Sequence, residues 1–81
     1  MKVLVTGGAG FIGSHTVVEL FSNGDVPVII DDFRNSEPFI LERIKEITGN
    51  TPIFYNVDCL DLNGLEEVFE KENPEGVVHF A

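Results

Sequence analysis

Three glycines and a few carboxylates are the residues of this chain with chemistry to offer. Val3, Leu4 and Val5 lead straight into Gly7, Gly10 and Gly13, spaced G-x-x-G-x-x-G, and an amphipathic stretch follows at once. Glycine at such points permits a tight strand-to-helix turn and removes Cβ atoms that would hold a ligand away from the main chain. A helix starting near Phe11 presents unpaired N–H groups and the positive end of its dipole at the same place. That combination suits a diphosphate. A glycine fingerprint alone also describes a plain tight turn, so the groups at the other strand ends decide.

Those ends carry fitting residues. Asp31 closes the second apolar run, where a carboxylate can accept hydrogen bonds from ribose hydroxyls. Its charge also repels a 2′-phosphate, which favours NAD over NADP, with Arg34 nearby as an opposing cation. Asp58 stands at the end of the third run, beside the expected adenine pocket. Phe80 and Ala81 end the fourth, where ligands sit in open α/β sheets. Together these positions predict dinucleotide binding.

Other reactive side chains read as structural. His15 and His79 are too few and too far apart for a metal site. Cys59 has no sign of thiolate activation. Tyr55 is the only tyrosine, and Cys59 rather than lysine lies four residues on. No Tyr-x-x-x-Lys pair is present to move protons.

The elements that must position these groups alternate between short β-rich runs and helical stretches. Strands are predicted at Lys2–Thr6, Pro27–Asp31, Pro52–Val57 and Gly76–Phe80, with Pro27 tolerable at the first position of its strand. Helices are predicted at Phe11–Asn23, Glu37–Thr48 and Leu62–Glu72. Gly24 and Gly49 act as stops, and Asp61 or Asn63 caps the third helix. The inward stripes read as Ile12, Val17, Leu20 and Phe21, then Ile40, Leu41, Ile44 and Ile47, then Leu62, Leu65, Val68 and Phe69. This alternation predicts an α/β fold, a partial Rossmann fold of four parallel strands in the order 3-2-1-4. Right-handed crossovers place the first two helices on one face and the third on the other. The second face then has a single helix, and the fourth strand is an exposed edge of Val77, Val78 and Phe80.

Composition narrows the function classes. The 81 residues make one small domain at most. Five basic residues against fourteen acidic give a net charge of −9. Lys2, Arg34, Arg43, Lys45 and Lys71 are too few to neutralise a phosphate backbone, so nucleic acid is excluded as partner. No apolar run approaches the length of a bilayer span, and no signal peptide is legible at the start. With a single cysteine, these features predict a cytoplasmic setting.

Three segments identify a family resemblance: TGGAGFIGSH at Thr6–His15, IIDDFRNS at Ile29–Ser36 and VVHFA at Val77–Ala81. They resemble the extended short-chain dehydrogenase/reductase family, and within it the nucleotide-sugar 4-epimerases most closely. The resemblance covers the whole chain; its Asn35-Ser36 and His79-Phe80-Ala81 elements are more discriminating than the glycines. It implies that Phe11 and Ile12 lie over the NAD pyrophosphate. Asp31, Asp32, Phe33, Asn35 and Ser36 would wrap the adenosine ribose and pyrophosphate, Asp58 and Cys59 would border the adenine, and Phe80 and Ala81 would approach the inner part of the cofactor. Phe11 and Asp32 stand where the family commonly has tyrosine and asparagine. Phe11 keeps the ring and the N–H, whereas Asp32 adds a charge near phosphates.

The reaction implied is the interconversion of UDP-glucose and UDP-galactose through transient hydride transfer to NAD. A UDP-sugar site outside this chain and a homodimeric full-length enzyme are implied with it. The family's catalytic serine or threonine, tyrosine and lysine have no counterpart here. The expectation is therefore an N-terminal piece that is inactive alone. The alternatives are a free-standing nucleotide-binding module or a piece of another nucleotide-sugar epimerase or dehydratase.

Overall fold

The computed structural model describes residues 1–34 and 37–80. Asn35, Ser36 and Ala81, three of the expected cofactor contacts, lie outside the described residues. The elements run β1 (Lys2–Thr6), α1 (Phe11–Ser22), β2 (Val26–Ile30), α2 (Phe39–Thr48), β3 (Ile53–Tyr55), α3 (Leu62–Glu72) and β4 (Gly76–His79). The strands form one parallel sheet in the order β3-β2-β1-β4, as the alternation predicts.

Alternating side chains divide the core in two. Val3, Val5 and Ile29 meet Val17 of α1 and Ile44 of α2 on one face. Leu4, Val28 and Ile30 meet Val68 of α3 on the other. Because β1 and β2 are covered on both sides, each is a nearly continuous buried run. Burying one such side chain is worth about 1.5–3 kcal/mol, so these two strands carry much of the fold's stability.

Several expected boundaries move. β2 begins at Val26, which puts Pro27 inside the strand. Val26 donates its N–H to Met1, so the next nitrogen faces β3, whose ladder begins only at Val28. The missing proline N–H therefore breaks no bond. Asp31 lies just past β2 rather than within it, and β3 is shorter than expected at both ends. α1 ends at Ser22, with Gly24 left-handed at φ 82°. α2 starts at Phe39 behind Pro38, and Gly49 closes it at φ 72°. Asp61 caps α3, its Oδ1 accepting the Gly64 N–H at 3.1 Å.

The inward stripes are narrower than predicted. Ile12, Ile47, Leu62 and Phe69 are exposed, Leu62 by 72%. A helix lying alone on its sheet face buries only the positions that point straight down, here Leu65 and Val68. α3 is tied to the sheet by a polar link as well. The Tyr55 hydroxyl donates to Glu72 Oε2, and Lys2 Nζ reaches Glu72 Oε1 at 3.2 Å. Val77 and Phe80 are exposed on the β4 edge, while Val78 packs beneath the helices of the first face. No helix among the described residues is long and apolar enough to cross a membrane.

Candidate dinucleotide site

The carboxyl ends of all four strands fall in one row, because Thr6 pairs with Ile30 and His79, and Ile30 with Tyr55. The loops leaving that row enclose an open cleft of about 330 Å³, lined by Gly7, Asp31, Asp32, Arg34, Asp58 and His79 among others. Such a volume is at the lower end for small-molecule sites, about 300–1,000 Å³, and suits one nucleoside rather than a whole dinucleotide.

The glycine turn is compact for a reason visible in the main chain. Gly7 sits at φ 70°, and its carbonyl accepts the Gly10 N–H at 3.1 Å. A Cβ on Gly13 would lie 2.1 Å from the Gly7 oxygen, so only glycine lets α1 rest on the turn. Gly10 is the N-cap of α1 and offers no side chain to cap it, and the first turn holds no acidic residue. The N–H groups of Phe11 and Ile12 thus have no intrahelical acceptor and mark a seat for an anion.

Asp31 ties this turn to the end of β2. It is 8% exposed; Oδ2 accepts the Ala9 N–H at 3.0 Å and Oδ1 the Phe33 N–H at 2.7 Å. A carboxylate oxygen has two acceptor sites, so these bonds are compatible with further acceptance from a ribose hydroxyl. Phe33 adopts a left-handed φ of 60° to make its bond, and its ring stacks on Phe54 at 5.0 Å.

Across the cleft, Arg34 Nη2 lies 2.9 Å from Asp58 Oδ2 and 3.2 Å from Asp32 Oδ2. The Leu60 N–H, bonded to Asp58 Oδ1 at 2.9 Å, holds the Asp58 carboxyl below its usual range, helped by Arg34. Burial and the neighbouring Asp58 charge push the Cys59 thiol up, which agrees with an unactivated cysteine. At the β1–β4 junction the Thr6 hydroxyl accepts the Phe80 N–H at 3.2 Å and shares a hydrogen bond with His79 Nδ1.

Of the expected contacts, Gly7, Asp31, Asp32, Asp58 and Cys59 converge on the cleft. Phe11 and Ile12 are exposed on the first turn of α1 beyond it, by 80% and 63%. Phe11 meets His15 edge-to-face at 4.9 Å, at the end of an apolar groove between α1 and α2. Gly10 and Gly13 shape the turn, Phe33 packs away on Phe54, and Phe80 is bonded to Thr6 through its main chain. Sequence reasoning missed the bridge made by Arg34 and the place of His79 in the cleft wall. The Asp32 carboxylate also accepts the Arg34 main-chain N–H at 3.0 Å in a two-residue turn, a bond any non-proline residue could make there and so no signal for the bridge.

Comparison with known proteins agrees with this geometry. The sequence profile of the NAD dependent epimerase/dehydratase family matches residues 3–81. Over its full length the chain is 51% identical to a UDP-glucose 4-epimerase of Haemophilus influenzae and 49% identical to one of Bacillus subtilis. It spans 24% of the length of each. Among solved structures it superposes with a TM-score of 0.97 and 44% identity on the UDP-glucose-4-epimerase of Stenotrophomonas maltophila with bound NAD and formylated UDP-arabinopyranose. The UDP-glucose 4-epimerase of Bifidobacterium longum in complex with NAD+ and UDP gives the same values. In both, all of this chain corresponds to 24% of the other.

Proposed function

The chain belongs to the NAD dependent epimerase/dehydratase family, and on that premise we propose that it is the N-terminal NAD-binding part of a UDP-glucose 4-epimerase. The observation that carries the reading is the bond from Ala9 N–H to Asp31 Oδ2 at 3.0 Å. Through it one buried carboxylate sets the spacing between the anion seat on α1 and the ribose position at the end of β2. Relatives near 50% identity along the whole chain support the same reading.

Each residue then has a defined task. The first-turn N–H groups of Phe11 and Ile12 hold the pyrophosphate, and Gly10 lets it approach the main chain. Asp31 accepts from the adenosine ribose, while Asp32, Phe33, Asn35 and Ser36 wrap it. Asp58 and Cys59 border the adenine, and Phe80 and Ala81 adjoin the inner part of the cofactor. When bound, NAD supplies the hydride acceptor for interconverting UDP-glucose and UDP-galactose. The accompanying proton transfers need groups these 81 residues do not carry, since Tyr55 is followed by Cys59 where a Tyr-x-x-x-Lys pair would place lysine. A UDP-sugar held by residues outside this chain, a homodimeric whole enzyme and a cytoplasmic setting, which the single cysteine suits, complete the reading.

Calorimetric titration of the purified chain with NAD tests it. Saturable micromolar binding by the parent, weakened in Gly10→Ala, is the expected result. That alanine Cβ would meet only the Gly7 oxygen, at 3.3 Å, so the turn has to yield by no more than a few tenths of an ångström. A matched thermal melt of Gly10→Ala accompanies the titration. No binding, or binding indifferent to Gly10→Ala, refutes the site. Turnover of UDP-galactose by the chain alone refutes the division of labour.

A further inference from the structure

We propose that Asp32 and Asp58, by holding Arg34 between them, withhold from a 2′-phosphate the cation that would otherwise receive it, so that the adenosine end accepts NAD and refuses NADP. The inference rests on the NAD-binding reading above and assigns its specificity to residues other than Asp31.

Asp31 is poorly placed to do this work alone. It is buried, and both oxygens accept main-chain N–H groups whose dipoles offset its charge. The groups open to solvent at that end are Asp32, Arg34 and Asp58. Among the described residues lining the cleft, Arg34 carries the one full positive charge. A free guanidinium there would be a ready partner for a phosphate, which it can grip with paired N–H donors.

It is not free. Arg34 Nη2 lies within reach of both carboxylates, 2.9 Å from Asp58 and 3.2 Å from Asp32. Each carboxylate is itself anchored by its other oxygen, Asp58 on the Leu60 N–H and Asp32 on the Arg34 N–H. Forming the bridge therefore costs only the rotamer freedom of Arg34. The result is two negative charges on one positive, spanning the loops after β2 and β3. A 2′-phosphate brings nearly two further negative charges into that field. A ribose hydroxyl brings none.

The test is the ratio of NADP to NAD dissociation constants, measured by titration calorimetry on the parent and three variants with matched thermal melts. The ratio cancels any loss common to both cofactors. In Asp32→Asn/Asp58→Asn the ratio should fall by about tenfold, the scale of a screened charge pair acting on a doubly charged group. Adding Arg34→Gln to that pair should restore discrimination, and Arg34→Gln alone should leave the parent ratio or raise it. If the double variant keeps the parent ratio, the bridge is not the discriminator. If the triple variant keeps the gain, lost repulsion and not a freed Arg34 explains it, and the proposal falls. If the parent binds neither cofactor, the NAD-binding reading itself is refuted and this inference goes with it.

Discussion

Replacing Gly13 by alanine should remove a large share of the chain's stability. The added Cβ would stand 2.1 Å from the Gly7 oxygen, 2.9 Å from the Gly7 carbonyl carbon and 3.0 Å from Gly8 Cα. All three are main-chain atoms, so no side chain can swing aside. The Gly7 carbonyl would have to retreat by about 1 Å in a closely packed turn. That movement pulls it from the Gly10 N–H, which it accepts at 3.1 Å. Overpacking of this kind costs about 1–3 kcal/mol and a lost hydrogen bond about 1 kcal/mol, together about 2–4 kcal/mol. A domain of this size has about 4–12 kcal/mol in all. Thermal melts followed by circular dichroism should show a midpoint lower by about 8–30 °C. Gly10→Ala, whose Cβ meets the same oxygen at 3.3 Å, is the matched control and should move far less than Gly13→Ala. A Gly13→Ala protein melting within about 3 °C of the parent would refute the claim that α1 rests on the turn through this contact.

Ile44→Ala, at a site 2% exposed, should cost about 2–5 kcal/mol, whereas Leu62→Ala, at 72% exposure, should stay within about 0.5 kcal/mol; urea midpoints of both decide whether the narrow helix stripes are real. The Tyr55 hydroxyl and Lys2 hold the Glu72 carboxyl below its ordinary range. Its contribution is therefore present above the usual carboxylate pKa and lost as pH falls through the depressed value. Glu72→Gln should flatten the acid side of a stability–pH curve, and an unchanged acid limb would contradict the link. The raised thiol of Cys59 should react with iodoacetamide more slowly than a free cysteine at pH 8, and NAD should slow it further. Equal rates with and without cofactor would place the adenine elsewhere.

Much of this architecture could be read in the chain. Val3, Leu4 and Val5, and Val28, Ile29 and Ile30, are apolar without a break, which only strands covered on both faces require, and β1 and β2 are central. Asp61 against Asn63 as the cap stayed open because either side chain suits the position; only the turn from Asp61 to Gly64 selects one. Leu62 and Phe69 misled because helical periodicity shows which side is apolar, not how much neighbouring structure covers it. At the site, Gly7, Asp31 and Asp58 follow from strand ends and loop order. Arg34 does not, since its role depends on two loops from different strands meeting across a gap.

The unequal cover of the four strands also sets where the chain opens first. β1 and β2 are sealed on both faces, so their amides should exchange with deuterium only through global unfolding. β3 and β4 are half-exposed borders and should exchange through smaller, more frequent openings. The cleft has its floor at the ends of the slow strands and its walls in loops hung from both kinds. Cofactor should thus barely alter protection along β1 and β2. Its mark should appear at the amides of Phe33, Leu60 and Phe80, where binding would tie the fast-opening borders to a floor already closed.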